Sequence, residues 1–221
     1  MTESLEVKQQ REELLLSAFL EMVRSPDGDF GVIDRLAQAS SDLESLQLII
    51  NFLANEPQGK AAFANYPRLG EVDLELLALL PSHTLGYAYA NHMLQNGLKP
   101  LQIKPSSNDY EFLGAHITET HDIWHVVTGF NTSIIGEIQL EAFYVSQLQA
   151  SRFWLALIAK NLLKSVVYDI ERSAEYMDAI AEGWMMAKHA KPLFGIDWKS
   201  LWSTPLDEVR DVLNIKSSFN L

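Results

Sequence analysis

His121-Asp122-Ile123-Trp124-His125 is followed by Glu137, which gives the pattern H-D-x-x-H-x11-E. No other feature restricts the fold as much. Side chains four residues apart stack one turn apart, so His121 and His125 share a face only if this stretch is an α-helix. Asp122 sits three residues before His125 and reaches the same neighbourhood from the flank. Glu137 has to come from another segment. Between them, Gly129-Phe-Asn-Thr-Ser133 is a break with capping chemistry, so a second helix is expected to begin near Thr132 or Ser133. Helices joined by so short a turn lie antiparallel, and Glu137, one turn into the second, then faces His125. Gly136 is expected to let the two helices approach closely. Two imidazoles and two carboxylates at one point suit a divalent transition metal, Zn2+ above all. A bare pair of histidines at this spacing is common on ordinary half-buried helices. Here the neighbours Ile123, Trp124, Val126 and Val127 are apolar, so unpaired polar groups among them would be costly.

Helical periodicity extends along the chain. Leu14, Leu15, Ala18, Phe19 and Met22 repeat at three and four, as do Leu46, Ile49, Ile50 and Leu53, and Val72, Leu76, Leu79 and Leu80. Pro26-Asp-Gly-Asp29 and Pro57-Gln-Gly59 read as turns, and Ser82 as the cap of a helix through Tyr87 and Met93. Asn96 to Ser107, with Gly97, Pro100 and Pro105, reads as a loop or short strand. The motif helix is expected over Asn108–Thr128. Others follow over Phe143–Val167 with a break near Ser151, over Ile170–His189, and over Leu206–Leu213. No alternating stretch is long enough for a sheet. The expected fold is all-α, a single-domain helical bundle over residues 1–221 with the metal motif on two adjacent antiparallel helices.

Composition excludes several chemistries. The chain has no cysteine, which removes disulfides, iron–sulfur clusters and thiol nucleophiles. Its net charge of -12 argues against nucleic acid as a partner, since that needs a basic face. The acidic start is unlike a transit peptide, which points to a cytoplasmic protein, and no apolar run reaches the roughly 18 residues of a membrane span.

Glu119, two residues before His121, is a candidate for proton transfer or for support of a metal-bound imidazole. His116 and His83 read as surface or structural residues. Tyr87, Tyr89 and Met93 lie along one helix; such sets usually form core, and Tyr87 and Met93 would also line a lipid tunnel. Arg152-Phe-Trp-Leu-Ala-Leu-Ile-Ala-Lys-Asn-Leu-Leu-Lys164 is strongly apolar with basic residues. It suits a core helix, a homodimer interface, or an interfacial helix whose Phe153, Trp154 and Leu157 enter lipid while Lys160 and Lys164 snorkel.

Glu119-Thr-His-Asp-Ile-Trp-His125, Gly129 and Ile135-Gly-Glu137 together resemble the signature of the coenzyme Q (ubiquinone) biosynthesis protein 4 family. Pro81-Ser-His-Thr-Leu-Gly-Tyr-Ala-Tyr-Ala90 and Leu206-Asp-Glu-Val-Arg-Asp-Val-Leu-Asn-Ile215 resemble helices of the same family, so the resemblance spans roughly Leu46 to Ile215. The family's arginine-rich R-Y-R-E run is replaced by Ala115-His-Ile-Thr-Glu119, which keeps only the glutamate. The resemblance implies a metal site at His121, Asp122, His125 and Glu137, a prenyl lipid bound near Trp124, and peripheral association with a membrane. It implies action in C1 decarboxylation of a polyprenyl-hydroxybenzoate, a prenylated quinone precursor, alongside other quinone-biosynthesis proteins; with a start unlike a transit peptide, the chain looks like a bacterial member. A non-catalytic lipid-binding scaffold is the alternative. A metal phosphohydrolase of the His-Asp type ranks third; it would draw on His83 and Asp178 and leaves the x11-E spacing unexplained.

Overall fold

Capping residues mark where the helices begin. In the computed structural model, which describes residues 5–26, 29–149 and 151–216, side chains of Asp29, Asp42, Asp73, Thr84, Asn108, Ser133 and Ser151 each accept from backbone N–H groups of a first turn. The first four residues, the last five, and Asp27-Gly28 of the expected turn lie outside the described residues. The helices are α1 (Leu5–Arg24), α2 (Phe30–Ser40), α3 (Leu43–Leu53), α4 (Pro57–Asn65), α5 (Leu74–Leu77), α6 (Leu85–Gln95), α7 (Asp109–Thr128), α8 (Ile134–Leu148), α9 (Arg152–Tyr168), α10 (Ser173–His189) and α11 (Leu206–Leu213). The described residues contain no strand; Thr84 and Pro205 form an isolated bridge. The fold is all-α.

Several boundaries differ from expectation. Pro57-Gln-Gly59 opens α4, with proline at the first helical position where its missing N–H costs nothing. Thr84, not Ser82, caps α6. The leucines of Val72–Leu80 give only the single turn of α5, and Leu76 and Leu79 are exposed. Asn96–Ser107 contains no strand. Phe143–Val167 is split between α8 and α9 at the Ser151 cap.

The motif pair is fixed at its turn. Gly129 ends α7 in the left-handed region at φ 82°, which glycine adopts without strain. Arg210 of α11 donates to the carbonyls of Val126 (3.0 Å) and Val127 (2.9 Å), which have no partner within the helix. Gly136 serves the turn rather than the helix contact: a Cβ there would lie 1.9 Å from the Asn131 carbonyl oxygen. His125 meets Glu137, and four residues earlier His121 meets Tyr144, so α7 and α8 run in opposite senses. The close helix approach is between α8 and α10, where a Cβ on Gly183 would lie 1.9 Å from the Gln139 carbonyl oxygen.

The largest core cluster joins α3 through α8 and the C-terminal elements around Tyr89, Met93, Phe112, Trp124, Phe143 and Trp198. A smaller one lies where α1, α2 and α9 meet, around Met22, Leu36 and Leu157.

Candidate metal centre

α7 carries His121 and His125 on one face, with ring centroids 4.8 Å apart and planes at 86°. α8 brings Glu137 Oε1 to 3.4 Å from His125 Nε2. One ligand atom from each of His121, His125 and Glu137 lies within 4.8 Å of the other two. His125 is buried, whereas the Glu137 side chain is 38% exposed, so the group sits at the edge of the interior. His125 Nδ1 lies 2.9 Å from the Phe130 carbonyl, which can only accept. The hydrogen therefore belongs on Nδ1, and the Nε2 edge faces Glu137. His121 Nδ1 is 3.4 Å from the Tyr144 hydroxyl.

The charges are mutually dependent. Burial, and then the neighbouring His125, push His121 down to about 4, so its ring is neutral at neutral pH. Burial also opposes charge on His125, but the hydrogen bond and charge of Glu137 outweigh it and hold its pKa above the ordinary value. Burial likewise opposes charge on Glu137 and Asp122; the histidines outweigh it and hold both carboxylates below the usual range. The neutral His121 ring and the ionised carboxylates are in the states a metal ligand requires, and His125 would release its extra proton to an incoming ion. Two imidazoles with carboxylate and no thiolate fit Zn2+ and its first-row neighbours.

Asp122 is not in the three-residue group. Its Oδ1 lies 3.8 Å from Nε2 of His92, a residue of α6 that motif spacing does not single out. The His92 ring lies 5.8 Å from that of His125, with planes 22° apart. The available signal was a histidine beside Met93 on a helix whose inward residues are otherwise apolar.

Glu119 has a different position from that expected of a catalytic carboxyl. It is buried on the other side of α7, where Arg68 binds both of its oxygens (2.6–3.0 Å) and the Leu69 N–H donates to it (3.2 Å). Arg68 also donates to the Lys104 carbonyl (2.8 Å) and to the Ile103 carbonyl. Glu119 thus fastens two irregular segments to α7. A residue two places from His121 is turned by about 200° around the helix, so Glu119 faces away from the imidazoles. His116 lies on this side too. It is buried against Phe112 and Phe194, and its Nε2 accepts from the Gly195 N–H (3.1 Å).

The residues expected to line an apolar prenyl channel mostly fill space. Trp124 stacks on Tyr144 (4.3 Å between centroids), which stacks on Trp154 (4.1 Å). Met93 and Trp124 are fully buried. Tyr87 lies on an open groove of about 470 Å³, lined also by Ser82, Asn91, His92, Asn96 and Thr132. The groove is polar, not apolar, because α6 turns its amides towards it. Phe153, Trp154 and Leu157 pack into the cluster under α1 and α2 rather than facing outward. Lys160 is buried, and Lys164 Nζ donates to the Ser25 carbonyl (3.2 Å), so neither snorkels. The outward stripe of α9 is Leu155, Ala159, Leu162 and Val166, with Leu155 and Val166 well exposed. No helix among the described residues is long and apolar enough to cross a membrane. His83 and Asp178 are exposed and do not join the group, so the arrangement a phosphohydrolase would need is not formed by them.

Comparison with known proteins identifies the family. Residues 4–218 match the family model of the coenzyme Q (ubiquinone) biosynthesis protein Coq4. The mitochondrial ubiquinone biosynthesis protein COQ4 homolog of Anopheles gambiae is 25% identical over 186 residues, 78% of this chain and 62% of that protein. The Candida tropicalis protein is 29% identical over 166 residues, 72% of this chain and 50% of that one. The chain thus spans about half to three fifths of the length of these relatives. A crystal structure from Nostoc punctiforme, of a protein provisionally assigned to ubiquinone biosynthesis, superposes with a TM-score of 0.83 at 27% identity, covering 93% of this chain and 99% of that one. With nearly its whole length matched, the chain belongs to the coenzyme Q (ubiquinone) biosynthesis protein Coq4 family.

Proposed function

We propose that this chain is a metal-dependent protein of prenylquinone biosynthesis that acts in C1 decarboxylation of a polyprenyl-hydroxybenzoate. The observation that carries the reading is the set of ligand atoms from His121, His125 and Glu137 within 4.8 Å of one another, with Asp122 beside them. A divalent ion held there, Zn2+ first, would polarise the ring oxygens or carboxylate and stabilise charge as carbon dioxide leaves. The chain's own residues do the rest. Phe130 fixes the His125 tautomer, and Tyr144 orients His121. His92, beside Asp122, lines the polar groove next to α6, and a carboxylated ring would approach the site from that side.

Peripheral association with a membrane and with other quinone-biosynthesis proteins belongs to the same reading. Its surface is the outward stripe of α9, with Leu155 and Val166, since Phe153 and Trp154 are spent on packing. A prenyl tail could lie along such an apolar face. The aromatic filling around Trp124 favours a second reading, in which the ion ties α7 to α8 in a non-catalytic lipid-binding scaffold. Removing the protein from its host and restoring it separates them. On the first reading, the C1-carboxylated precursor accumulates without the protein and clears on its return, but persists with His121→Ala. Clearance by a folded His121→Ala protein would contradict the catalytic reading and leave the scaffold.

A further inference from the structure

His92 Nε2 is buried and has no hydrogen-bond partner. A buried nitrogen without a partner is costly, a condition His92 shares with His116 Nδ1, Trp124 Nε1 and Trp198 Nε1, but only His92 has it beside the metal group. The nearest acidic oxygen, Asp122 Oδ1, is at 3.8 Å, beyond hydrogen-bonding distance. That separation has another meaning. Two donors on one ion, each at about 2.0–2.2 Å, can stand up to about 4.3 Å apart. His125 Nε2 and Glu137 Oε1, at 3.4 Å, fall in the same range. The His92 ring also lies nearly parallel to that of His125 and lines the open groove beside α6; its nitrogen stands outside the 4.8 Å group of His121, His125 and Glu137, so it would have to move inward on binding.

We propose that His92 is a further nitrogen donor to the ion at His121, His125 and Glu137, closing the site on its groove side together with Asp122. The proposal rests on the metal reading above. The two carboxylates would balance the charge of a divalent ion and three neutral imidazoles would add none, leaving the group neutral, which a low-dielectric surrounding favours. The added imidazole moves the site's preference towards Zn2+, Co2+ and Ni2+ and away from Mg2+ and Ca2+.

The test titrates the full-length, metal-free protein with Co2+ alone, following visible absorption and competition with a chelator. His92→Phe keeps the ring volume and His92→Gln keeps polarity; both are checked for folding by circular dichroism. The expected result is binding at least about tenfold weaker in both variants, with altered absorption bands. An unmodified protein labelled with 15N-histidine and loaded with Zn2+ gives a reading without mutation: three metal-shifted rings rather than two. Unchanged affinity and spectrum in the variants, or only two shifted rings, would overturn the proposal while leaving the metal site standing. No Co2+ or Zn2+ uptake by the unmodified protein would overturn the metal reading, and this proposal with it.

Discussion

The two sides of α7 treat buried polar groups in opposite ways. On one side Glu119 is fully enclosed, and Arg68 and the Leu69 N–H occupy its oxygens. On the other, His121, His125 and Glu137 converge, and His92 is left with a bare nitrogen. On the first side the carboxylate charge is matched within the protein, although His116 Nδ1 nearby also has no hydrogen-bond partner; on the second, several donors gather at one point. Position in sequence does not distinguish them, because Glu119 and His121 are two residues apart. Their surroundings do: Glu119 is held by a cation and a backbone N–H, whereas His121 stands among other groups able to ligate a metal.

The largest effect should come from breaking the closed side. Arg68→Ala leaves the Glu119 charge buried with only the Leu69 N–H to meet it, and should cost about 3–5 kcal/mol in urea unfolding. Metal content measured on the folded fraction should not change. A loss of metal equal to the loss of stability would mean the two sides are one unit.

His116 belongs to the closed side and should make it sensitive to acid. Burial pushes its pKa down to about 4 from the ordinary 6.5, so the folded protein holds it neutral while the unfolded chain protonates it. The stability it confers is present above about pH 6.5 and is lost as pH falls towards 4, by roughly 3 kcal/mol in all. In His116→Asn that part of the pH slope should flatten. An unchanged slope would place the acid sensitivity elsewhere.

Gly183→Ala tests how the open side is held, because α8 leans on α10 at Gln139. Overpacking there should cost about 1–3 kcal/mol and, unlike Arg68→Ala, should also weaken metal binding by displacing Glu137. Normal metal affinity in the destabilised protein would show that Glu137 is set by the Asn131–Ser133 turn alone.

The smallest effect on stability is expected on the outer face of α9. Leu155→Ser with Val166→Ser should change unfolding by about 0.5 kcal/mol or less, as exposed substitutions do. Flotation with liposomes should nonetheless fall. Equal flotation would remove this stripe from the membrane reading.

Much of this was legible in sequence because it depends on local rules. The i, i+4 histidines and the Gly129 stop define α7, and Ser133 starts α8 one turn before Glu137. Residues that come together only through tertiary packing were not legible. Arg68 reaches Glu119 from 51 positions away, and His92 comes to Asp122 from another helix. The apolar content of Phe153–Leu157 was plain, but which face of α9 turned inward depended on α1 and α2. The Val72–Leu80 leucines had helical spacing, yet only one turn formed, as Pro81 follows and little covers Leu76 and Leu79.

Metal content by elemental analysis tests the central claim most directly, comparing the unmodified protein with His121→Ala and Glu119→Gln after identical loading with Zn2+ and removal of free ion. One ion per chain is expected in the unmodified protein and in Glu119→Gln, and a loss to near zero in His121→Ala. Undiminished metal in His121→Ala, or its loss in a folded Glu119→Gln, would contradict the division of α7 into a closed structural side and an open metal side.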